Sequence, residues 1–302
     1  MVWLVKRILF GVGGLAVVIL LLLAGVYGYS SRRFERSFPA GPPESPPVPT
    51  DLAAIERGRH LAQVIAKCGD CHGQDLGGRV FIDAGPMIGR VYGPNITKGK
   101  GSVAESFSVA DWERVIRHGI TPEGRALKIM PSEDFIHMSD SDLGALLAYL
   151  RTVPPVDRGS EPTVVGPLSR ALYLAGKFPL LPAERLSPSA GHTEVPVGVT
   201  KEYGEYLANV GGCTGCHGPG LSGGRIPGTP PGVPPAQNLT PAGIGTWTEA
   251  DFFRTLRTGV RPDGSHINAF MPWMSARNMT DDETRAIWFY LRSVPPRAAG
   301  TM

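Results

Sequence analysis

Two five-residue segments, Cys68-Gly69-Asp70-Cys71-His72 and Cys213-Thr214-Gly215-Cys216-His217, constrain this chain more than any other feature. C-x-x-C-H is the attachment signature of c-type haem: each cysteine forms a thioether to the porphyrin, and the adjacent histidine becomes the proximal iron ligand. Two intervening residues place both sulfurs on one turn, facing the two vinyl edges of a single macrocycle, with the histidine beneath the iron. The two copies use all four cysteines of the chain, leaving none for a disulfide framework or a thiol nucleophile. Structural zinc sites and redox dithiols also use C-x-x-C pairs, but neither requires a histidine directly after both. The expectation is two covalently bound haem c groups, one per motif.

A chain of 302 residues is long enough for two domains of common size. The haem motifs are landmarks of a duplication that covers most of it. Before the motifs, Gly58-Arg59-His60-Leu61-Ala62-Gln63-Val64 matches Gly204-Glu205-Tyr206-Leu207-Ala208-Asn209-Val210. After them, Leu76-Gly77-Gly78-Arg79 matches Leu221-Ser222-Gly223-Gly224-Arg225, and Asn95-Ile96-Thr97 matches Asn238-Leu239-Thr240. Ala110-Asp111-Trp112 pairs with Ala250-Asp251-Phe252, Met130-Pro131 with Met271-Pro272, and Tyr149-Leu150-Arg151 with Tyr290-Leu291-Arg292. Each unit reads as helices around a haem. Ser139-x-x-Asp142 and Thr280-x-x-Glu283 have capping-box spacing and open a final helix that ends at Val-Pro-Pro, where proline removes a donor. A second amphipathic segment runs over 110–118 and 250–258 and stops at glycine, and a third leads into each haem motif. Nothing in the pattern reads as a sheet. A net charge of +3 leaves no footprint for nucleic-acid binding.

The N-terminus differs in kind. Residues 8–31 carry no charge, and a helix of this length reaches about 30 Å or more, enough to cross the hydrocarbon core of a bilayer. The apolar stretch exceeds a normal signal h-region and lacks an A-x-A cleavage site, so an uncleaved, single-pass anchor is expected. Arg32, Arg33 and Arg36 follow the span, so charge bias alone does not orient it. The haem motifs do, because c-type attachment occurs on the exported side in bacteria; the body should face the periplasm from the inner membrane. Pro39–Pro49 favours an extended spacer that would hold the first domain off the membrane.

Taken together, these residues resemble the class I cytochrome c fold, and the combined pattern is similar to the cytochrome c subunits of membrane-bound bacterial alcohol and gluconate dehydrogenases. The resemblance covers roughly residues 51–297. It implies an all-α chain with an N-terminal transmembrane helix and two tandem cytochrome c-like haem domains: anchor 1–31, Pro-rich linker 32–50, domain 1 over 51–156, connector 157–196 and domain 2 over 197–297. It also implies that the first and last helices of each unit cross at a glycine facing an aromatic, Gly58 against Tyr149 and Gly204 against Tyr290. Those dehydrogenase subunits typically have three haem domains, and this chain has two.

A low-spin carrier needs a sixth iron ligand, and a thioether raises the potential relative to a second histidine. Met87, Met130, Met138, Met271, Met274 and Met279 are the candidates considered. Met130 and Met271 are chosen: both precede proline on a loop before the final helix, and both match the family's distal position. The cofactor-binding set is thus Cys68, Cys71, His72 and Met130 with Cys213, Cys216, His217 and Met271, and the iron ligands are His72, Met130, His217 and Met271. No catalytic residue is assigned. Met138 and Met279 immediately precede the capping residues and read as hydrophobic staples. His60, His118, His137 and His266 have no histidine counterparts in the repeat and read as structural or exposed. Arg79, Arg225, Asn95 and Asn238 suit either haem propionates or a solvated surface, and Trp112, Trp247 and Phe252 suit porphyrin or core packing. Pro167–Leu181 is an apolar segment expected to pack on a domain face, a partner or the membrane.

The function expected is electron transfer, not catalysis, between respiratory or dehydrogenase partners such as a dehydrogenase subunit, a quinol-oxidising complex or a terminal oxidase, with the lipid bilayer engaged by the N-terminal helix. The alternative is a cytochrome subunit of a periplasmic alcohol, sugar or aldehyde dehydrogenase complex. A dihaem peroxidase or thiosulfate-oxidising enzyme would need an open iron site, which two distal methionines disfavour.

Overall fold

The computed structural model describes residues 2–39, 45–186, 192–226, 228–229 and 232–301. Helix α1 (Val2–Phe34) leads the chain. The first unit contains α2 (Leu52–His60), extended by a π-helical turn at Leu61–Ile65, then α3 (Cys68–His72), β1 (Arg79–Asp83), α4 (Gly85–Ile88) and β2 (Gly89–Gly93). It continues with α5 (Val109–His118), α6 (Ser132–Phe135) and α7 (Asp140–Leu150). The connector supplies β3 (Val164–Val165), α8 (Pro167–Leu174) and a 3-10 turn at Pro182–Glu184. The second unit contains α9 (Lys201–Val210), α10 (Cys213–His217), α11 (Pro241–Ile244), α12 (Glu249–Thr258), α13 (Trp273–Ala276) and α14 (Asp281–Ser293).

Local chemistry explains where these helices begin and stop. Ser108 with Asp111, Thr248 with Asp251 and Thr280 with Glu283 form complete capping boxes on α5, α12 and α14, and Ser139 Oγ accepts from Asp142 N at the start of α7. These side chains satisfy orphan amides of the first turn. α5 and α12 end at Gly119 and Gly259, with φ of 64° and 73°, a left-handed backbone that glycine adopts without steric cost.

The first and last helices of each unit cross at glycine, as expected. A Cβ on Gly58 would lie 1.9 Å from the Ala145 carbonyl oxygen and 2.9 Å from Tyr149 Cβ; one on Gly204 would lie 2.0 Å from the Ala286 carbonyl oxygen. In the first unit the glycine meets the expected tyrosine as well as backbone. In the second it meets the backbone of Ala286 and Ile287 rather than Tyr290.

The sequence reading missed a sheet. β1 and β2 form an antiparallel hairpin with a register irregularity between Val80 and Ile82, and β3 pairs antiparallel with β2 through Gly89 and Arg90. The third strand comes from the connector, some seventy residues on, and β1 is largely exposed, so no inward-outward alternation marks it.

The end of α1 is fixed to the first unit. Arg170 of α8 donates to Ser30 Oγ (2.7 Å) and Ser31 Oγ (3.1 Å), the Phe34 and Tyr173 rings lie 5.3 Å apart, and Arg33 pairs with Glu184 at 2.7 Å. Phe34, Phe38, Ile120, Ala126, Val165, Tyr173, Leu180 and Leu181 form a small second core. The apolar connector therefore packs on the anchor and on the first unit. This corrects the expected spacer: the anchor docks directly on the domain, and Pro47 and Pro49 pack against Gly144 of α7. Residues 40–44 of that stretch lie outside the described residues. The apolar span of α1 itself has none of its residues buried against the chain, as suits a helix long and apolar enough to cross a bilayer.

Across the duplication the two units meet through equivalent positions. His60 Nε2 lies 2.8 Å from Glu283 of the other unit, and the Tyr206 hydroxyl, its counterpart in the repeat, donates to Asp142 at 2.6 Å. Each acid is the third residue of its unit's final helix. Arg57 joins both, donating to Asp142 at 2.9 and 2.8 Å and to Glu283 at 3.2 Å. In the same manner α6 packs on α9, and α13 packs on the π turn that extends α2. The units are thus related by an approximate two-fold, with charge pairs and caps shared across it.

Candidate haem sites

Each haem motif is a single helical turn entered through a left-handed residue, Lys67 (φ 54°) before α3 and Gly212 (φ 71°) before α10. Lysine in that conformation is uncommon. Its ammonium compensates by donating to Ile65 O and Gly211 O, both at 2.7 Å, which also ties the two attachment loops together. The end of β2 comes so close that a Cβ on Gly93 would lie 1.9 Å from the Cys71 carbonyl oxygen.

Both motif histidines are held alike. His72 Nδ1 lies 2.7 Å from Pro94 O, and His217 Nδ1 lies 2.7 Å from Gln237 O. A carbonyl only accepts, so each Nδ1 carries the proton and each Nε2 retains its lone pair, the arrangement seen in ligating histidines. Burial holds both imidazoles below their ordinary pKa, keeping them neutral. The asparagines that follow fix these carbonyls. Asn95 donates to Val156 O (2.7 Å) and Arg158 O (3.0 Å) while accepting from the Thr97 amide and hydroxyl; Asn238 donates to Arg297 O (2.8 Å) and accepts from Thr240 in the same way. Both are buried. They are loop braces, so neither propionate binding nor surface solvation describes them. Arg79 and Arg225 are exposed.

The thiols are poorly suited to thiolate chemistry. Burial, with Cys71 alongside, pushes Cys68 up to about 12, and burial pushes Cys71 and Cys213 up to about 11 and raises Cys216. A reactive dithiol depends on a stabilised thiolate, and the residues around these sulfurs do not supply one.

Above α3 lies a cavity of about 470 Å³ whose wall includes Cys68, Cys71, His72, Trp112, Met130 and Leu146, within the roughly 300–1,000 Å³ typical of cofactor pockets. Apolar walls, neutral thiols and a lone-pair nitrogen in one chamber fit a covalently held haem. Met130 reaches this wall from a loop where Ile129 has φ 67°, a left-handed conformation that β-branched residues rarely adopt. Ile129 N donates to Leu180 O at 3.0 Å, so the connector restrains the strained turn. Met271 is half-buried against the second unit's core, as Met130 is in the first. Met138 also borders the first cavity, but it and Met279 are buried in the core beside the helix caps, consistent with staples. Trp112 lines the cavity with Phe107 edge-on at 5.4 Å, while Phe252 packs on Trp288 at 5.4 Å.

The sequence reading missed Lys67 as the tie between the loops, and it missed Pro94 and Gln237 as acceptors. Backbone acceptors leave no residue-type signature, although the aligned Asn95 and Asn238 mark the place.

A family model described as Cytochrome c matches residues 55–154 and 202–295. The fructose dehydrogenase cytochrome subunit of Gluconobacter japonicus is 31% identical over 283 residues, covering 86% of this chain and 56% of its own length. The cytochrome c subunit of a quinone alcohol dehydrogenase from Gluconacetobacter polyoxogenes is 30% identical over 279 residues, covering 82% and 57%. A diheme cytochrome c-type protein of Cereibacter sphaeroides is 29% identical over 251 residues, covering 76% of this chain and 82% of its own length. The chain thus spans little more than half the length of the dehydrogenase subunits it resembles. With both halves matched, this chain belongs to the cytochrome c family.

Proposed function

We propose that this chain is a membrane-anchored dihaem electron carrier whose body faces the periplasm. Cys68 and Cys71 in the first unit, and Cys213 and Cys216 in the second, would form the thioethers, and His72 with Met130 and His217 with Met271 would hold the two irons. Bound haem c supplies a metal that accepts and releases one electron. The residues do the rest: the Pro94 and Gln237 carbonyls fix the imidazole tautomers, largely apolar walls surround the first site, and Met130 and Met271 would occupy the iron position a substrate needs. The observation that carries the reading is the identical histidine bond at 2.7 Å in both halves.

The partner we propose is a periplasmic dehydrogenase that hands over electrons singly, because relatives bear the names of dehydrogenase cytochrome subunits. Magnetic circular dichroism of the purified protein and of Met130→Ala and Met271→Ala tests the ligand set. Each substitution should abolish the methionine-ligation signature of one haem only. Persistence of both signatures in either variant overturns the assignment.

A further inference from the structure

Glu113, His118 and His192 lie apart from the haem ligands and enter into none of the chemistry above. We propose that they form a zinc site that fastens the connector to the first unit. Glu113 and His118 stand on the last turns of α5, while His192 arrives from the far end of the connector. Glu113 Oε1 is 3.0 Å from His118 Nε2 and 3.9 Å from His192 Nε2, and one ligand atom from each residue lies within 4.8 Å of the other two. Tetrahedral zinc with bonds of about 2.0–2.1 Å holds its donors about 3.3 Å apart, so small side-chain adjustments bring these three to bonding distance.

Three further features favour an ion here over a plain ion pair. Glu113 and His118 are 2% and 8% exposed, so the donors already lie where competing water is scarce. His192 Nδ1 lies 3.1 Å from Ile136 O; a carbonyl there assigns the proton to Nδ1 and turns the Nε2 lone pair toward Glu113, the usual outer-shell support of a ligating histidine. A cavity of about 360 Å³, walled by Arg33, Arg36 and Glu184 as well as Ala183 and Leu186, opens onto His118 and offers a water a place as fourth ligand. Arg117 also approaches Glu113, at 3.8 Å, while its guanidinium donates to Met138 O (2.6 Å) and Asp140 (2.7 Å). Two imidazoles and one carboxylate match zinc better than calcium or magnesium, which prefer all-oxygen shells.

An occupied site would join α5, the Ile136 turn and the connector. It would thereby stiffen the segment between Gly119 and Met130. The test uses the full-length, haem-loaded protein in detergent, stripped with chelator, desalted and titrated with zinc against a chromophoric competitor. Wild type should take up one zinc per chain, with two imidazoles in its X-ray absorption spectrum, and its melting temperature should rise with zinc. Glu113→Gln and His192→Gln should each weaken binding at least tenfold while the haem spectrum stays unchanged; should Glu113→Gln fail to mature, His192→Gln, on the connector, decides the matter. Absence of stoichiometric zinc in wild type, or equal affinity in His192→Gln, overturns the proposal.

Discussion

Gly58→Ala probes how the first unit's haem chamber is framed. α2 and α7 cross there so closely that a Cβ would stand 1.9 Å from the Ala145 carbonyl oxygen and 2.5 Å from its carbon. Both are backbone atoms, so no rotamer change relieves the contact, and the helices must part by about 1.5 Å to restore ordinary packing. Leu61, Ile65, Leu143, Leu146 and Leu147, all buried, lose contact when they do. Alanine's better helix propensity returns about 1 kcal/mol, whereas forced separation of a packed core costs about 1–3 kcal/mol and occasionally more. With backbone as the obstacle the upper end applies, and a net loss of about 2 kcal/mol is expected. Urea unfolding followed by far-ultraviolet circular dichroism and by the haem band measures it. Gly198→Ala, whose Cβ would meet nothing nearer than Thr200 at 4.0 Å, is the neutral control. If Gly58→Ala matched wild type within about 0.5 kcal/mol, the crossing argument would be wrong.

Two predictions concern the interface. Arg57→Met leaves Asp142 and Glu283, both mostly buried, without their shared guanidinium, and should cost about 3–5 kcal/mol, read as a lower urea midpoint. Burial works to raise the Glu283 carboxyl, but hydrogen bonds from His60 and from the Thr280 amide outweigh it and leave Glu283 below its ordinary value of 4.5. A depressed carboxylate contributes stability above its unfolded pKa and loses it as pH falls through the folded one. Glu283→Gln should therefore melt below wild type at pH 7, and the gap should close in acid below pH 4.5; a gap that stayed constant with pH would refute this linkage.

Much of this architecture was legible because local chemistry signs it. Ser139 and Thr280 mark helix starts, Gly119 and Gly259 mark ends, and the repeated motifs locate the attachment turns. What stayed hidden depends on partners far away in sequence. β3 pairs with β2 across the whole of α7, and His192 meets His118 across more than seventy residues. Among the described residues neither has a counterpart in the other unit, so the duplication gave no second copy to compare. Asn95 and Asn238 did repeat, yet composition alone cannot separate a buried brace from a surface amide; only the surrounding carbonyls decide that. The Pro-rich stretch misled for a related reason. An extended segment is equally able to span solvent or to lie along a helix, and at Gly144 the missing side chain admits it.

Intact-mass analysis of protein matured in a host with c-type haem assembly, paired with a spectroscopic redox titration, bears most directly on the central claim. The account predicts a denatured chain heavier by two haems and a titration of two one-electron steps, one from each half. An unmodified chain, or one haem regardless of maturation conditions, would contradict it.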